Sequence, residues 1–564
     1  MLIDICEMDT IKKCKFIHIM YNDKFCQGFI DFIERNFCIE DHVFVVQKIL
    51  DDLPPLTGRN VVEIGDLRKY TFGLNDEQVI ICHSLFMSGI GGFYNSNRHL
   101  LKRSYWFIYG GDLYNAPRNE TADYIRSNFA CYITDVDNDI NVLTDRYKIE
   151  SLNYVNSAYT FPVTLDMIKR AQQKKSQNKD YVTIQINNSS DVSTLEILDI
   201  LSKFKNEKIK IRTILSYGKL EYKQDIINKG ISIYGDKFSY IDTLLTPEKY
   251  AEFCVENDIL ILNQNRQQGL GNSFLALQFG QKLFIRSEIT TYDYLRKNGN
   301  IVFDTKLIRG MSFETFKYNS CVDKSVNILN SKKFFTDEFL YIHWKKVFEH
   351  TVSPSETQSS KEIELTNYWI ERSKRLGKYA VYNMTHPISE LPAVDDLQIS
   401  IYSKAIKNSL HIDKVKNALD FGCGSGRFEP LLLQCADNVY VCDPTYELLT
   451  YGPNIDNVRY VRIQDYLLPF EDETFDFIFI SLVLGGITDL ENLKKTVNEL
   501  LRVSKKNASF LVCENTSANK DISHWCYRSA DFYKQLFKNV NLEVINEYVD
   551  CDEEISVLVG TKIP

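Results

Sequence analysis

Short hydrophobic runs alternate with longer amphipathic stretches along the first part of the chain, as far as about Trp344. Such alternation predicts strands and helices in parallel α/β layers. The runs fall into two successive sets. The first set comprises CKFIHIM, HVFVV, QVIICHS, YWFIYG and FACYIT, and the second comprises YVTIQIN (181–187), IKIRTIL (209–215), ISIYG (231–235), DILILN (258–263) and KLFI (282–285).

A polar stretch near residues 160–180, which contains AQQKKSQNKD, links the two sets. We therefore expect two Rossmann-like domains, residues 1–165 and 166–349, with a cleft between them. Ser, Thr, Pro and Gln crowd the segment HTVSPSETQSSKEIE, which predicts an exposed linker over residues 350–365. A third α/β unit, residues 366–564, is predicted to follow.

Composition excludes several classes of protein. A chain of 564 residues with 44% hydrophobic and 25% charged residues is typical of a soluble globular protein. The net charge of −9 argues against a nucleic-acid binder, which normally carries a basic excess. No apolar stretch approaches the ~20 residues that span a bilayer, and the N-terminus does not read as a secretory signal. The 14 cysteines include no CxxC pair, so we expect reduced thiols in a cytoplasmic protein without a bound metal.

The third unit begins with a glycine-rich turn after a predicted strand. In ALDFGCGSGRF, Asp420 ends the strand and Gly422, Gly424 and Gly426 follow it. Asp443 ends the next strand, VYVCDP. A glycine-rich first turn with an acid about 20 residues later is the arrangement that binds a ribose through its hydroxyl groups.

These segments resemble, in their order, the class I S-adenosylmethionine-dependent methyltransferases of the small-molecule type, over about residues 366–564. The resemblance implies that Asp420 and the three glycines line the methionine end of the cofactor. It further implies that Asp443 holds the ribose, Asp465 the adenine, and that Ser481 lies near the sulfonium. The lead-in NYWIERSKRLGKYAV (367–381) resembles the segment that closes over the cofactor. Methyl transfer does not oblige the protein to supply a base, and His524 is left without a role.

A second candidate site is the segment NRQQGLGN (265–272), which follows the apolar run DILILN. One interpretation is a tight turn, because glycine adopts positive φ without steric cost. The other is a phosphate-binding loop, because backbone N–H groups at a helix start attract anions.

Several segments together favour the phosphate-binding loop. FIHIMYND, VIICHS, YWFIYGGDLYN, INNSSDVSTLE, ILSYGKLEY and TPEKYAEFCVENDILILNQNRQQGLGN look like the 4-acetamido-4,6-dideoxy-D-galactose transferases, the TDP-Fuc4NAc:lipid II transferase family. The similarity spans about residues 15–345, with Phe107 where the family often has histidine. It implies a GT-B pair of domains and a TDP-sugar donor. The residues implied in donor binding are Asn188, Ser189, Tyr217, Gly218, Arg266, Gln267, Gln268, Gly269, Gly271 and Asn272.

Catalytic candidates in this part of the chain come from strand ends. Asp112, after the aromatic strand YWFIYG, is the preferred general base, with turn capping as the alternative. His18, Asp23 and His83 also end predicted strands on that side, and each has a structural alternative. The Asp-x-Asp in TDVDNDIN (134–141) is interpreted as a solvated turn with a helix N-cap rather than a metal site.

The fold class expected is therefore α/β, a GT-B pair followed by a class I methyltransferase domain. We expect a bifunctional enzyme of bacterial surface-polysaccharide synthesis that transfers an acetamido-dideoxyhexose to a lipid-linked glycan and methylates a sugar. Arg98, Lys102 and Arg103 could contact the anionic inner-membrane surface, or could belong to an ordinary amphipathic helix. The alternatives are a UDP- or GDP-sugar donor, or a glycan-binding adaptor that serves the methyltransferase.

Overall fold

The computed structural model describes residues 3–4, 9–47, 55–149, 152–176, 179–187, 192–216, 220–350, 360–383, 385–464 and 466–563. It divides into two compact units. The N-terminal unit comprises Met1–Tyr294, Val302–Asn319 and Ser331–Ser355, and the C-terminal unit comprises Leu295–Ile301, Ser320–Asn330 and Glu356–Pro564. The division after Ser355 falls within the linker predicted from the sequence. Two short segments of the predicted second domain belong instead with the C-terminal unit.

The N-terminal unit contains two large parallel sheets and a small one formed by β1 and β5. The first large sheet, the N-terminal sheet, has strand order β4-β3-β2-β6-β7-β8-β9. Its central strands are buried along their whole length, as expected where helices cover both faces of a parallel sheet. The strands of this region are β1 (Ile3–Asp4), β2 (Phe16–Tyr21), β3 (His42–Gln47), β4 (Val61–Ile64), β5 (Tyr70–Thr71), β6 (Val79–His83), β7 (Ser104–Phe107), β8 (Cys131–Thr134) and β9 (Tyr154–Asn156). The helices are α1 (Asp9–Lys12), α2 (Cys26–Asn36), α3 (Ile90–Ser96), α4 (Gly111–Tyr114), α5 (Glu120–Ser127) and α6 (Asp139–Tyr147).

The second sheet of this unit, the middle sheet, is also parallel throughout and has strand order β12-β11-β10-β13-β14-β15. Its strands are β10 (Val182–Ile186), β11 (Ile209–Ile214), β12 (Phe238–Ile241), β13 (Ile259–Leu262), β14 (Lys282–Ile285) and β15 (Phe303–Asp304). The helices of this region are α7 (Leu165–Lys174), α8 (Val192–Leu201), α9 (Leu220–Tyr234), α10 (Pro247–Val255), α11 (Leu270–Gln278), α12 (Thr290–Lys297), α13 (Phe313–Lys317), α14 (Cys321–Lys332) and α15 (Asp337–His350).

Two sequence-based assignments in this region are wrong. The run ISIYG (231–235), predicted as a strand, provides the last residues of α9, and the strand begins only at Phe238. Gly230 explains the error. A Cβ there would lie 2.5 Å from the Phe238 ring, so this glycine makes room for the ring within the helix and does not mark the end of the helix. The polar link near residues 160–180 contains α7, whose apolar side buries Ile168 and Ala171.

Helix α15 packs on the N-terminal sheet, although it follows the middle sheet in sequence. Trp344 is fully buried, its indole stacks on His83, and its Nε1 donates to the carbonyl of Ala158 at 3.1 Å. The Phe29 ring lies 4.7 Å from the indole, centroid to centroid. The chain therefore returns from the middle sheet to complete the core beneath the first one.

The C-terminal unit is built on one seven-stranded sheet, the C-terminal sheet, with strand order β18-β17-β16-β19-β20-β22-β21. β22 is antiparallel to both of its neighbours, β20 and β21, and all other neighbouring strands are parallel. Its strands are β16 (Val415–Phe421), β17 (Ala436–Asp443), β18 (Val458–Arg462), β19 (Phe475–Ser481), β20 (Ser504–Asn515), β21 (Glu543–Asp550) and β22 (Glu553–Thr561). The helices are α16 (Ser360–Leu376), α17 (Leu391–Lys404), α18 (Glu429–Cys435), α19 (Tyr446–Leu449), α20 (Leu490–Val503) and α21 (Ala530–Leu536).

The strand order reverses direction at β16, since β17 lies on one side of it and β19 on the other. Ligands of open α/β sheets bind at such a reversal, beyond the carboxyl ends of the strands. Across the described ranges of the chain, no helix combines the length and apolar character needed to cross a membrane.

Replacing Trp344 with alanine tests the packing of α15. We expect Trp344→Ala to lower the free energy of unfolding of the N-terminal unit by about 3–5 kcal/mol, because a large buried ring is removed. In calorimetry of the full chain, the transition of that unit moves down and that of the C-terminal unit stays in place. Lys345→Ala, an exposed change on the same helix, is the matched control. An unchanged thermogram for Trp344→Ala would show that α15 does not contribute to this core.

Candidate cofactor site and cavity

Side chains in place of the glycines would disrupt the backbone conformation of the glycine-rich turn after β16. Gly422 and Gly424 have φ values of 74° and 55°, in the left-handed region that favours glycine. A Cβ on Gly422 would lie 2.4 Å from Val483, and one on Gly424 would lie 2.4 Å from Val381. The turn therefore needs glycine both for its dihedral angles and for the space beside it.

Asp443, at the end of β17, holds this turn in place. Its carboxylate accepts from the backbone N–H of Gly424 at 3.1 Å and from that of Thr445 at 2.7 Å. Burial raises the pKa of Asp443 to about 6, while these backbone donors act in the opposite direction. The carboxylate thus lies beside the glycine turn at the sheet edge, as the ribose-binding prediction requires.

Two further carboxyl groups are buried near this turn without partners. Asp420 is 2% exposed and Glu429 is fully buried. Asp420 Oδ2 and both carboxyl oxygens of Glu429 receive no hydrogen bond. Burial, then the charge of Glu429, raises the pKa of Asp420 well above its usual range, and burial raises the pKa of Glu429 to about 7. Buried carboxyl groups without donors are costly, and a cationic ligand would supply what they lack.

Glu429 was not predicted as a site residue. It is the first residue of α18, where a carboxylate also suits the positive end of the helix. The available signal was a single acid between Phe428 and the apolar run that follows Pro430. Its complete burial next to Gly426, whose Cβ would lie 2.8 Å from Glu429 Oε1, could not be read from the sequence.

The end of β19 lies across the strand reversal from the glycine turn. Ser481 Oγ lies 3.0 Å from the hydroxyl of Tyr402, which lies 3.1 Å from the hydroxyl of Tyr548. The next turn is held by Glu514, which accepts from the backbone N–H groups of Val483, Leu484 and Gly485. Burial raises the pKa of Glu514 to about 7. These hydrogen bonds hold in place the part of the unit that contains Ser481, the residue predicted to lie near the sulfonium.

The lead-in segment contacts the glycine turn directly. Ser425 Oγ donates to the carbonyl of Lys378 at 3.0 Å. Arg427 forms an ion pair with Asp395 and lies over the ring of Tyr382. The structure therefore brings the lead-in against the glycine turn, and six of the seven predicted cofactor residues lie at or next to the carboxyl ends of the adjacent strands β16, β17 and β19. The seventh, Asp465, lies outside the described residues. His524 stacks on Tyr368 and lies 3.0 Å from its hydroxyl, which agrees with leaving it without a catalytic role.

A second candidate site is a cavity of about 1200 Å³ in the N-terminal unit. It lies at the carboxyl ends of strands from both sheets of that unit, including β2, β11 and β13. The predicted donor-binding residues that line it are Arg266, Gln267, Gln268, Gly269, Gly271 and Asn272. The other four, Asn188, Ser189, Tyr217 and Gly218, lie outside the described residues.

The loop 265–272 is held against the N-terminal sheet. Gly269 has φ 73° and caps α11. Gln267 is buried, and its Oε1 fills the place that a Cβ on Gly110 would take, at 1.7 Å. Arg266 Nη1 donates to the carbonyl of Gln267, and Tyr250 donates its hydroxyl hydrogen to Asn272 Oδ1. The glycine turn after β7 and the loop after β13 therefore fit together at the cavity.

The predicted general base Asp112 does not line this cavity. Its buried carboxylate accepts from the backbone N–H groups of Leu85 and Tyr109 and from Trp106 Nε1, at 2.8–2.9 Å. Burial raises its pKa, which these donors partly offset. This geometry matches the turn-capping alternative, because a carboxylate that accepts from three donors supports the turn, and the role of Asp112 as a general base stays a prediction.

Asp23 lines the cavity instead. Its Oδ1 accepts from the backbone N–H groups of Phe25 and Cys26, at 2.8 and 3.1 Å. Burial raises its pKa to about 6. A carboxyl group in this range can exchange protons near neutral pH, and we therefore move the base hypothesis from Asp112 to Asp23.

His18 and His83 also lie away from the cavity. His18 lies in the middle of β2 rather than at its end, with Nδ1 3.0 Å from His83 Nε2 and Nε2 3.0 Å from His42 Nδ1. Burial lowers the pKa of His18 well below its usual value and that of His83 to about 3. These imidazoles are therefore neutral members of the core under Trp344, and neither reaches the cavity lining.

Two of the three acids of TDVDNDIN, Asp135 and Asp139, are buried rather than solvated, and Asp137 is half-buried. Asp135 accepts from the hydroxyl of Tyr294 at 2.7 Å, and Asp139 accepts from those of Tyr114 and Thr290. The prediction of a solvated turn is wrong, because hydroxyl groups from α12 and α4 cover both carboxylates. Their hydrogen bonds connect elements that follow different sheets of the N-terminal unit.

Comparison with known proteins finds similarity in the part of the chain that contains the C-terminal site. Residues 419–512 match the family model of a methyltransferase domain. The chain is 27% identical over 139 residues to a demethylmenaquinone methyltransferase of Streptomyces griseus subsp. griseus, which covers 24% of this chain and 57% of that protein. It is 38% identical over 79 residues to the ubiquinone/menaquinone biosynthesis C-methyltransferase UbiE of Idiomarina loihiensis, which covers 14% and 29%. The chain thus spans between 29% and 57% of the length of these relatives.

Two solved structures also match part of the chain. The YcgJ protein of Bacillus subtilis matches at 16% identity and a TM-score of 0.26, over 29% of this chain and 99% of that one. An S-adenosylmethionine-dependent methyltransferase of Aquifex aeolicus matches at 18% identity and a TM-score of 0.25, over 31% and 99%.

The residues of the family match run from β16 to β20 and include the glycine turn and Asp443. The match does not extend to residues 15–345, so the glycosyltransferase resemblance stays a prediction. The C-terminal unit therefore contains a methyltransferase domain, as predicted.

Glu429→Gln tests whether the unpaired carboxyl groups are a binding feature. The folded pKa of Glu429, about 7, exceeds the unfolded value of roughly 4.3. The stability it contributes is thus complete below about pH 4 and is lost as the pH rises through about 7. At pH 8 we expect Glu429→Gln to raise the Tm of the C-terminal unit by about 2–4 °C, and to change it little at pH 5.

The same variant should bind S-adenosylmethionine about tenfold more weakly at pH 8, because one negative charge facing the cationic ligand is lost. Calorimetric titration measures this affinity. Glu491→Gln, an exposed change on α20, should alter neither quantity. A Glu429→Gln protein that is less stable at pH 8, or that binds the ligand as tightly as the parent, would contradict the interpretation.

Proposed function

We propose that the C-terminal unit binds S-adenosylmethionine and transfers its methyl group to an acceptor. The observation that carries this proposal is the set of buried carboxyl groups around the glycine turn, with Asp443 on one side and the unpaired oxygens of Asp420 and Glu429 on the other. The neutral adenosine end of S-adenosylmethionine, with its ribose hydroxyls, and its cationic amino group need these two kinds of partner. The family match over the same residues supports the assignment.

The residues of this site act mainly by binding and positioning. When bound, S-adenosylmethionine supplies an electrophilic methyl group on sulfur. Asp443 would accept hydrogen bonds from the ribose hydroxyls, and Asp420 with Glu429 would neutralise the amino group. The turn after β19, fixed by Glu514, would limit the direction from which an acceptor approaches. Positioning of this kind can supply much of the acceleration for an in-line displacement.

The acceptor we propose is a hydroxyl group of a sugar. Support comes from the N-terminal unit of the same chain, whose sequence resembles sugar transferases. A covalent link would keep the glycan product of one site at high local concentration near the other. The curated relatives are named for quinone substrates, so a quinone ring carbon is the second candidate acceptor.

For the N-terminal unit we propose glycosyl transfer from a TDP-sugar. The cavity has room for a nucleotide sugar, and Arg266 with the first turn of α11 would place a cation and backbone N–H groups beside its diphosphate. Charge on the departing nucleotide grows during transfer, so the same groups would stabilise the transition state. Asp23 would accept the proton of the acceptor hydroxyl. A lipid-linked glycan as acceptor, and a surface-polysaccharide pathway, belong to this proposal.

Separable activities are the first expectation. Asp443→Ala should lower methyl transfer at least a hundredfold and leave sugar transfer intact, whereas Arg266→Ala should do the reverse. Mass spectrometry of a lipid-linked acceptor incubated with TDP-, UDP- and GDP-sugars and S-adenosylmethionine measures both products, and demethylmenaquinone serves as the competing methyl acceptor. Transfer from UDP- or GDP-sugars alone would replace the TDP assignment. Methylation of the quinone alone would overturn the sugar acceptor.

Asp23→Asn separates binding from catalysis in the cavity. We expect the variant to bind TDP with unchanged affinity and to lose sugar transfer at least a hundredfold, because the amide cannot accept the proton. Lys249→Ala, an exposed change on α10 that lies outside the cavity lining, should affect neither. Glycan binding without transfer from any nucleotide sugar in the parent protein would instead identify the unit as a binding adaptor.

A further inference from the structure

Three potential metal ligands meet at the edge of the C-terminal unit, away from the glycine turn. They are His386, Asp550 and Cys551, and their ligating atoms all lie within 4.8 Å of one another. His386 Nε2 lies 2.5 Å from Asp550 Oδ1 and 3.0 Å from Cys551 Sγ. The side chains of His386 and Asp550 are only 14% and 12% exposed. Imidazole, thiolate and carboxylate are the ligand types that zinc takes in proteins.

The backbone that presents Cys551 is unusual. Cys551 and Asp552 form the two-residue connection between β21 and β22, with φ values of 51° and 63°. Hairpins with positive φ at both positions strongly favour Asn-Gly or similar pairs. A cysteine held in the left-handed region at such a turn is strained, and strain of this kind concentrates at functional sites. The turn directs both Asp550 and Cys551 toward the same imidazole.

Three polar groups surround that imidazole. Nε2 carries at most one hydrogen, yet both the Asp550 carboxylate and the Cys551 sulfur converge on it. The other ring nitrogen, Nδ1, lies 3.6 Å from Glu390 Oε2. An imidazole nitrogen, a carboxylate oxygen and a sulfur thus meet at one point, where a single cation could bind all three.

We propose that His386, Asp550 and Cys551 bind a divalent transition-metal cation of the zinc class. Zinc bonds of about 2.0–2.3 Å place neighbouring ligand atoms roughly 3.3–3.8 Å apart, so small side-chain rotations open the cluster to admit the ion. Water completes a tetrahedral set. Glu390 orients the imidazole from outside the ligand sphere, the usual arrangement for a metal-bound histidine.

The ion would fasten the segment that follows the lead-in to the hairpin. His386 lies between the lead-in, which contacts the glycine turn through Lys378, and α17. Asn383 Nδ2 already donates to Glu553 Oε2 on the hairpin at 3.2 Å. A metal bond at His386 would add a much stronger link between the same two segments. The site therefore has a structural role that does not depend on the reaction proposed for the unit.

Metal binding by the full-length chain tests this proposal. After removal of metals with a chelator, the protein should take up one equivalent of Zn²⁺ in calorimetric titration. Co²⁺ in its place should give a thiolate-to-cobalt charge-transfer band. Cys551→Ser should abolish that band, and His386→Ala should weaken Zn²⁺ binding at least tenfold. Cys526→Ser removes another partly exposed cysteine of the same unit and should leave both signals intact.

Two outcomes would overturn the proposal: no stoichiometric Zn²⁺ uptake by the parent protein, or a cobalt–thiolate band that persists in Cys551→Ser. Circular dichroism confirms that each variant is folded. Asp550→Asn provides a second variant should Cys551→Ser disturb the hairpin, with the same tenfold loss expected. Because the readout is metal binding, its result stands apart from whether the unit transfers methyl groups.

Discussion

Parallel pairing of strands is the constraint on which both candidate sites depend. In a parallel sheet every strand delivers its carboxyl end to the same edge, so the turns that follow the strands meet there. The N-terminal and middle sheets are parallel throughout, and in the C-terminal sheet only β22 runs against its neighbours. Asp23, Arg266 and Asp443 each follow or end a strand of this kind. Their distance in sequence therefore does not prevent them from serving compact sites.

Glycine turns shape those edges. At Gly424 and Gly269 the backbone adopts positive φ, and the Gly424 N–H donates to the Asp443 carboxylate. The neighbours then come close: Val381 approaches Gly424, and the side chain of Gln267 takes the space beside Gly110. The lack of a side chain at these glycines therefore permits the turn and lets a neighbouring segment of the unit pack closely against it.

Buried carboxyl groups divide into two kinds according to their donors. Asp112 and Glu514 each accept from three N–H groups and hold a turn in place. Asp420 and Glu429 are as deeply buried but keep oxygens without any donor. Burial raises the pKa in both cases, and for Asp420 the neighbouring acidic charges raise it further. The two kinds differ in whether their oxygens accept hydrogen bonds, and the proposed binding of a cationic ligand rests on the pair with oxygens that do not.

The sequence by itself determined the local features. Hydrophobic runs identified β2, β10, β13 and most other strands, and the spacing of glycines and acids in ALDFGCGSGRF and VYVCDP predicted the cofactor turn. These patterns are short-range, because strand burial and turn dihedrals are set by neighbouring residues.

Only the tertiary structure decided the rest. It turned ISIYG into helix, because a ring from the next strand fills the space that Gly230 leaves, and it placed Glu429, Asp23 and the His386 cluster by bringing together residues far apart in the chain. Burial and partners, which fix whether a charged group supports a turn or faces a ligand, depend on those long-range contacts.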